Sequence, residues 1–203
     1  MKIAAIGYEV DTLKNLESDE LVIDLFSAAT NINALNAYDA FFLNDPKLLT
    51  TELLETGKIL FINSVIEPLD VLEMHQQCYR VNHWPTFIEN KDWEIVGKDC
   101  VSLSQLLAAL KKSALFVKNE VGLIAPRILA MIINEAHYTE EEKVSSPTEI
   151  DVAMKLGTGY PRGPFEWGKE IGLHRIHDLL KELTKSNARY LPNKLLTEMA
   201  LNK

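Results

Sequence analysis

The tightest constraint in this sequence lies between Ser146 and Glu166, SPTEIDVAMKLGTGYPRGPFE. Ser146 is placed to cap a helix, Pro147 suits its first position, and Glu149 follows three residues after the serine, as a capping box requires. The segment Gly157–Pro164 then holds three glycines and two prolines. Glycine admits positive φ and proline fixes φ near −65°, so the spacing predicts a rigid corner opening into a third helix at Phe165. Upstream, Gly122 to Tyr138 spreads Leu123, Ile124, Ile128, Leu129, Met131, Ile132, Ile133 and Ala136 over much of a helical circumference. A helix apolar nearly all round belongs inside a bundle or at a dimer interface. The back of the chain therefore reads as all-helical.

The front half has another rhythm. Short apolar runs at 2–7, 21–25, 38–43, 58–64, 93–96 and 114–117 alternate with short connections, and Leu103, Leu106, Leu107 and Leu110 mark a helix over 102–112. Strand and helix alternating at this spacing predict a parallel sheet. A parallel sheet whose first strand ends in glycine invites a test for a dinucleotide-binding turn, G-x-G-x-x-G. Here the turn is Gly7-Tyr8-Glu9-Val10-Asp11-Thr12, with only the first glycine. Glu9 puts bulk and negative charge where a pyrophosphate would need bare N–H groups. Asp24, in the second strand, stands near the place of a ribose-binding acid, and Asn63 and Ser64 end another strand.

Composition narrows the partners. The net charge of −8 over 203 residues speaks against a nucleic-acid backbone. No apolar run is long enough to span a membrane, and the first residues read as a strand instead of a signal peptide. Cys78 and Cys100 lack C-x-x-C spacing, so reduced thiols and a cytoplasmic location are expected.

Four elements occur in order: Asn134-Glu135-Ala136; Glu149-Ile150-Asp151-Val152-Ala153-Met154; Gly157-x-Gly159-Tyr160-Pro161-x-Gly163-Pro164-Phe165-Glu166; and Gly172-Leu173. Together they resemble the C-terminal helical domain of the 3-hydroxyacyl-CoA dehydrogenases. The resemblance implies an α/β plus all-α fold: a shortened Rossmann-like parallel sheet over 1–118, then a helical domain over 119–203 that makes a homodimer. It implies NAD as cofactor and oxidation of 3-hydroxyacyl-CoA to 3-ketoacyl-CoA in fatty-acid metabolism. Carried over residue by residue, His83 matches the family's general base and Glu94 the carboxylate that orients it, with one residue deleted between them. Asn63 and Ser64 match substrate-side positions, and Gly7 and Asp24 the remnants of the cofactor site. Val65 and Pro126 stand where the family has two further polar substrate contacts, and Arg127 follows as it does in the family. His174 and His177, three apart on a helix, read as a solvated face, so no metal is expected.

Three functions compete. The chain is an active NAD-dependent dehydrogenase working through His83 and Glu94; or a degenerate relative that binds an acyl-CoA-type small molecule without NAD; or a non-catalytic dimeric scaffold or partner subunit. Glu9, Val65 and Pro126 favour a degenerate member with NAD not bound.

Overall fold

The computed structural model describes residues 1–16, 21–29, 34–70 and 75–202. The chain forms two compact units, Met1–Glu120 and Val121–Lys203.

The first unit is built on a seven-stranded sheet. Its strands are β1 (Lys2–Ile6), β2 (Val22–Phe26), β3 (Ala40–Leu43), β4 (Ile59–Asn63), β5 (Cys78–Val81), β6 (Asp92–Val96) and β7 (Ser113–Phe116), in the order β2-β1-β3-β4-β5-β6-β7. The connecting helices are α1 (Val10–Leu13), α2 (Thr51–Glu55) and α3 (Val101–Ala109). The sheet forms because the central strands are fully buried apolar runs, as strands covered on both faces must be. Ile3, Ala5, Phe42, Phe61, Tyr79, Val81, Trp93 and Ile95 fill one face, and Ala4, Ile6, Phe41, Leu43, Leu60, Ile62 and Cys78 the other. One strand departs from the expected parallel sheet: β6 runs antiparallel to β5, pairing Arg80 with Val96 and Val81 with Ile95. The ten residues between them allow a direct return, whereas a parallel neighbour needs a crossover of a dozen or more. Both cysteines are free.

The second unit is helical: α4 (Ala125–Glu141), α5 (Pro147–Thr158), α6 (Pro164–Ile171), α7 (Leu173–Thr184) and α8 (Lys194–Leu201). Helix α4 buries Leu129, Ala130, Ile133, Asn134, Ala136 and His137 within the unit but leaves Ile128 56% exposed. Asn134 fastens α4 to the final segment, donating to Leu191 O at 3.0 Å and accepting from Asn193 N at 2.8 Å. Asn193 caps α8 by accepting from Leu196 N. His177, expected on a solvated face, is instead buried at 8% exposure, with Nδ1 3.2 Å from Asp178. Its i, i+3 partner along the buried stripe is Leu180, which the histidine spacing alone does not reveal. Among the described residues no helix is long and apolar enough to cross a membrane.

Candidate functional site

In an open α/β sheet, ligands bind beyond the carboxyl ends of the strands, where the strand order reverses. Here that place lies between β1 and β3, at Gly7 and Asn44. Gly7 has φ +76°, and a Cβ there would come within 2.6 Å of Leu48 Cδ1, so only glycine fits. The following residues do not form a phosphate cradle. Tyr8 turns inward and is buried, Glu9 is exposed, and α1 has only four residues.

A chain of hydrogen bonds runs along this edge. Asn44 Nδ2 donates to Gly7 O at 2.9 Å. Asn63 Nδ2 donates to Asn44 Oδ1 at 3.0 Å, and Asn63 Oδ1 accepts from His83 N at 3.0 Å. The circuit closes where His83 Nδ1 meets the Tyr8 hydroxyl at 2.9 Å. Side chains and backbone groups from the ends of β1, β3, β4 and β5 are thus linked along the carboxyl edge of the sheet, Asn44 to Asn63 and Tyr8 to His83 through side chains alone. Ser64 is engaged as well, donating to Glu67 O at 2.6 Å.

His83 is 1% exposed and ringed by aromatic groups, with centroids 4.3 Å from Trp93, 5.4 Å from Phe42 and 6.2 Å from Phe61. Among the described residues its Nε2 has no hydrogen-bond partner. Burial, with a smaller push from the Lys112 cation, pulls its pKa down to about 3. Burial raises the Tyr8 phenol well above its ordinary range. Both groups are neutral at pH 7.

The structure does not bring His83 and Glu94 together. Side chains alternate along a strand, so Trp93 and Ile95 lie on the face that holds His83, and Glu94 points to the other. On that other face Glu94 lies within charge reach of Arg80. Arg80 has no exposed surface, donates to Ser64 O, to Val65 O at 2.8 Å, to Asn119 Oδ1 at 3.0 Å and to Glu120 O at 2.8 Å, and has its pKa lowered by burial to about 10. Asp24 sits beside Ala4 in mid-strand, two residues short of the end of β2, paired with Lys2 at 2.8 Å and accepting from the Tyr38 hydroxyl at 2.7 Å. Tyr8, Asn44 and Arg80 are site residues that the family resemblance does not mark. A bulky residue directly after the first glycine was the one available signal for Tyr8.

In the helical unit the charged residues of the corner have local partners. Ser146 and Glu149 form the reciprocal capping box. Asp151 reaches from α5 to cap α6, accepting from Phe165 N at 2.8 Å and Glu166 N at 3.2 Å. A Cβ on Gly163 would fall 2.2 Å from Asp151 Oδ1, so glycine is what lets this carboxylate approach. Glu166 accepts from Gly163 N at 2.9 Å and pairs with Lys155 at 2.5 Å. Arg127 donates to Val121 O, at the start of its own unit. Beside the corner, Ile128, Met131, Ile132, Ile150, Met154 and Pro164 line an apolar groove of about 560 Å³.

Comparison with known proteins agrees with this division. The model of the 3-hydroxyacyl-CoA dehydrogenase C-terminal domain matches residues 122–203. A 3-hydroxyadipyl-CoA dehydrogenase of Escherichia coli is 41% identical over 92 residues, 44% of this chain and 19% of its own. The human mitochondrial hydroxyacyl-coenzyme A dehydrogenase is 37% identical over 109 residues, 50% of this chain and 35% of its own. The matches thus span about a fifth and about a third of these relatives. In fold, (S)-3-hydroxybutyryl-CoA dehydrogenase from Ralstonia eutropha superposes with a TM-score of 0.72 at 19% identity, covering 98% of this chain and 92% of that one. The similarity to the 3-hydroxyacyl-CoA dehydrogenases in sequence thus lies in residues 122–203, the helical unit.

Proposed function

We propose that this chain is a 3-hydroxyacyl-CoA dehydrogenase-like protein of acyl-CoA metabolism that does not carry out NAD-dependent oxidation through its own α/β unit. One observation carries the reading: Tyr8 is buried over the carboxyl edge of the sheet and bonded to His83, with Glu9 exposed beside it. The residues there do not fit NAD. The pyrophosphate would need bare backbone N–H groups at the start of a helix, and it meets a phenol and a carboxylate instead. Asp24 is committed to Lys2 and Tyr38, away from any ribose. The base the family resemblance assigns is buried, turned from Glu94 and lowered in pKa to about 3, which makes it a weak proton acceptor near pH 7.

The acyl-CoA class rests on the match of residues 122–203 to the 3-hydroxyacyl-CoA dehydrogenase C-terminal domain and on the names of the two relatives above. We assign homodimerisation to the apolar groove of the helical unit, where Ile128 is 56% exposed and would be covered by a second copy.

A titration with NADH, followed by nicotinamide fluorescence with and without acetoacetyl-CoA, tests the reading. No saturation at millimolar NADH is expected. Saturable micromolar binding, followed by turnover, would restore the dehydrogenase reading and sink this one.

A further inference from the structure

The sequence gives His83 a partner eleven residues on, in Glu94. The structure gives it another, 75 residues back in the chain. The Tyr8 hydroxyl lies 2.9 Å from His83 Nδ1 and 3.5 Å from Leu43 O. A phenol has one proton to donate. If that proton goes to the Leu43 carbonyl, Nδ1 must carry the ring proton and donate to the phenol oxygen. Nε2 is then a bare lone pair. The alternative leaves a buried Nε2–H with no acceptor, and orphaned buried N–H groups are the rarer kind.

We infer that Tyr8 is the positioning residue of His83: it accepts from Nδ1–H, fixes that tautomer, and seats the ring against Phe42, Phe61 and Trp93 so that the imidazole closes the sheet edge instead of facing a ligand. The groups around the ring are uncharged except Lys112, whose Nζ is tied to the carbonyls of Ile88, Glu89 and Asn90 at 2.9, 3.0 and 2.8 Å. Among the described residues no carboxylate bonds to the ring, so Tyr8 supplies the orientation that a dyad carboxylate would and none of the charge. The inference rests on the same edge as the functional reading, and its test separates the two.

The experiment is long-range ¹⁵N–¹H spectroscopy of the histidine rings in the full chain, with His83→Gln to assign the signal. The wild type should show the His83 ring locked as Nδ1–H from pH 8 down to pH 5, distinguished by its loss in His83→Gln from the His137 ring, whose Nδ1 also donates, to Ile133 O at 2.8 Å. Tyr8→Phe keeps the ring volume and removes the oxygen. It should release the lock, shifting the His83 signal toward the Nε2–H form. An Nε2–H signal in the wild type, ordinary titration near pH 6.5, or a spectrum unmoved by Tyr8→Phe would each overturn the inference. The wild-type signal decides even if Tyr8→Phe folds poorly. NADH binding with the Nδ1–H signal intact would retire the functional reading and leave the role of Tyr8 standing. An Nε2–H signal without NADH binding would do the reverse.

Discussion

The corner at Ser146–Glu166 and the sheet edge at Gly7–His83 are both dense networks of hydrogen bonds, but they stand differently toward the family pattern. At the corner each polar family residue has a structural task. Glu149 closes a capping box, Asp151 caps the next helix, Gly163 makes room for Asp151, and Glu166 holds Gly163. At the edge, the positions that would serve a cofactor serve one another. A family signature in one unit can therefore record how helices meet, while chemistry depends on residues elsewhere that the signature does not report.

The largest expected break lies on the sheet side. Arg80→Met would strip the donors from the carbonyls of Ser64, Val65 and Glu120 and from Asn119 Oδ1, and remove the guanidinium charge from beside Glu94 and Glu120. Removing one partner from such a site costs about 3–5 kcal/mol. The loss should appear in urea unfolding followed by the buried tryptophans of that unit, Trp84 and Trp93. An unchanged midpoint would mean that water replaces the guanidinium and that the hub is no anchor.

On the helical side, Gly163→Ala should be next. The new methyl displaces a short, pinned carboxylate and removes its hydrogen bonds to Phe165 and Glu166. Hydrogen bonds to a charged group are worth about 1.5–3 kcal/mol, so a loss of about 2–4 kcal/mol is expected. Circular dichroism during urea unfolding would read it. A stable Gly163→Ala variant would show that the corner does not depend on this approach.

Acid separates the regions further. The His83 pKa is lowered by burial to about 3, against about 6.5 when unfolded. Below pH 6.5 the unfolded chain binds a proton that the folded chain refuses. Stability from this group is therefore complete above pH 6.5 and falls progressively toward pH 3, by about 1.4 kcal/mol per pH unit. The wild type should lose about 2 kcal/mol between pH 6.5 and pH 5, and His83→Gln should lose less over the same interval. Equal losses in both would show that His83 is already protonated in the fold, or freely solvated.

The two regions were unequally legible. The corner could be read from sequence because its bonds are local: Ser146 to Glu149 spans three residues and Asp151 to Phe165 fourteen. Propensity and capping work over such distances. The edge could be read only in part. Gly7, Asn63 and His83 do meet there, but through Tyr8 and Asn44, whose partners are set by how the strands line up. The face of Glu94 was hidden for the same reason. Strand side chains alternate with period two, so the antiparallel pairing of β5 and β6 decides whether a histidine and a glutamate share a face. Resemblance to a motif carries residue types and loses that parity.

The smallest effect sharpens the comparison most. Asp24 was expected near the cofactor, and it forms an exposed pair with Lys2 instead, with 35% and 45% of the two side chains accessible. Lys2 and the Tyr38 hydroxyl lower its pKa, so any contribution is present above the unfolded carboxylate range and lost as pH falls through the folded value. Solvent screens such a pair, and exposed ion pairs often contribute nothing measurable. Asp24→Asn should therefore leave the unfolding midpoint unmoved within error, keep its hydrogen bond from Tyr38, and leave NADH binding as absent as in the wild type. A carboxylate that met a ribose would behave otherwise: its amide variant would weaken NADH at unchanged stability. That second outcome would put the dinucleotide back on this sheet and make the closed edge a resting arrangement that the cofactor opens.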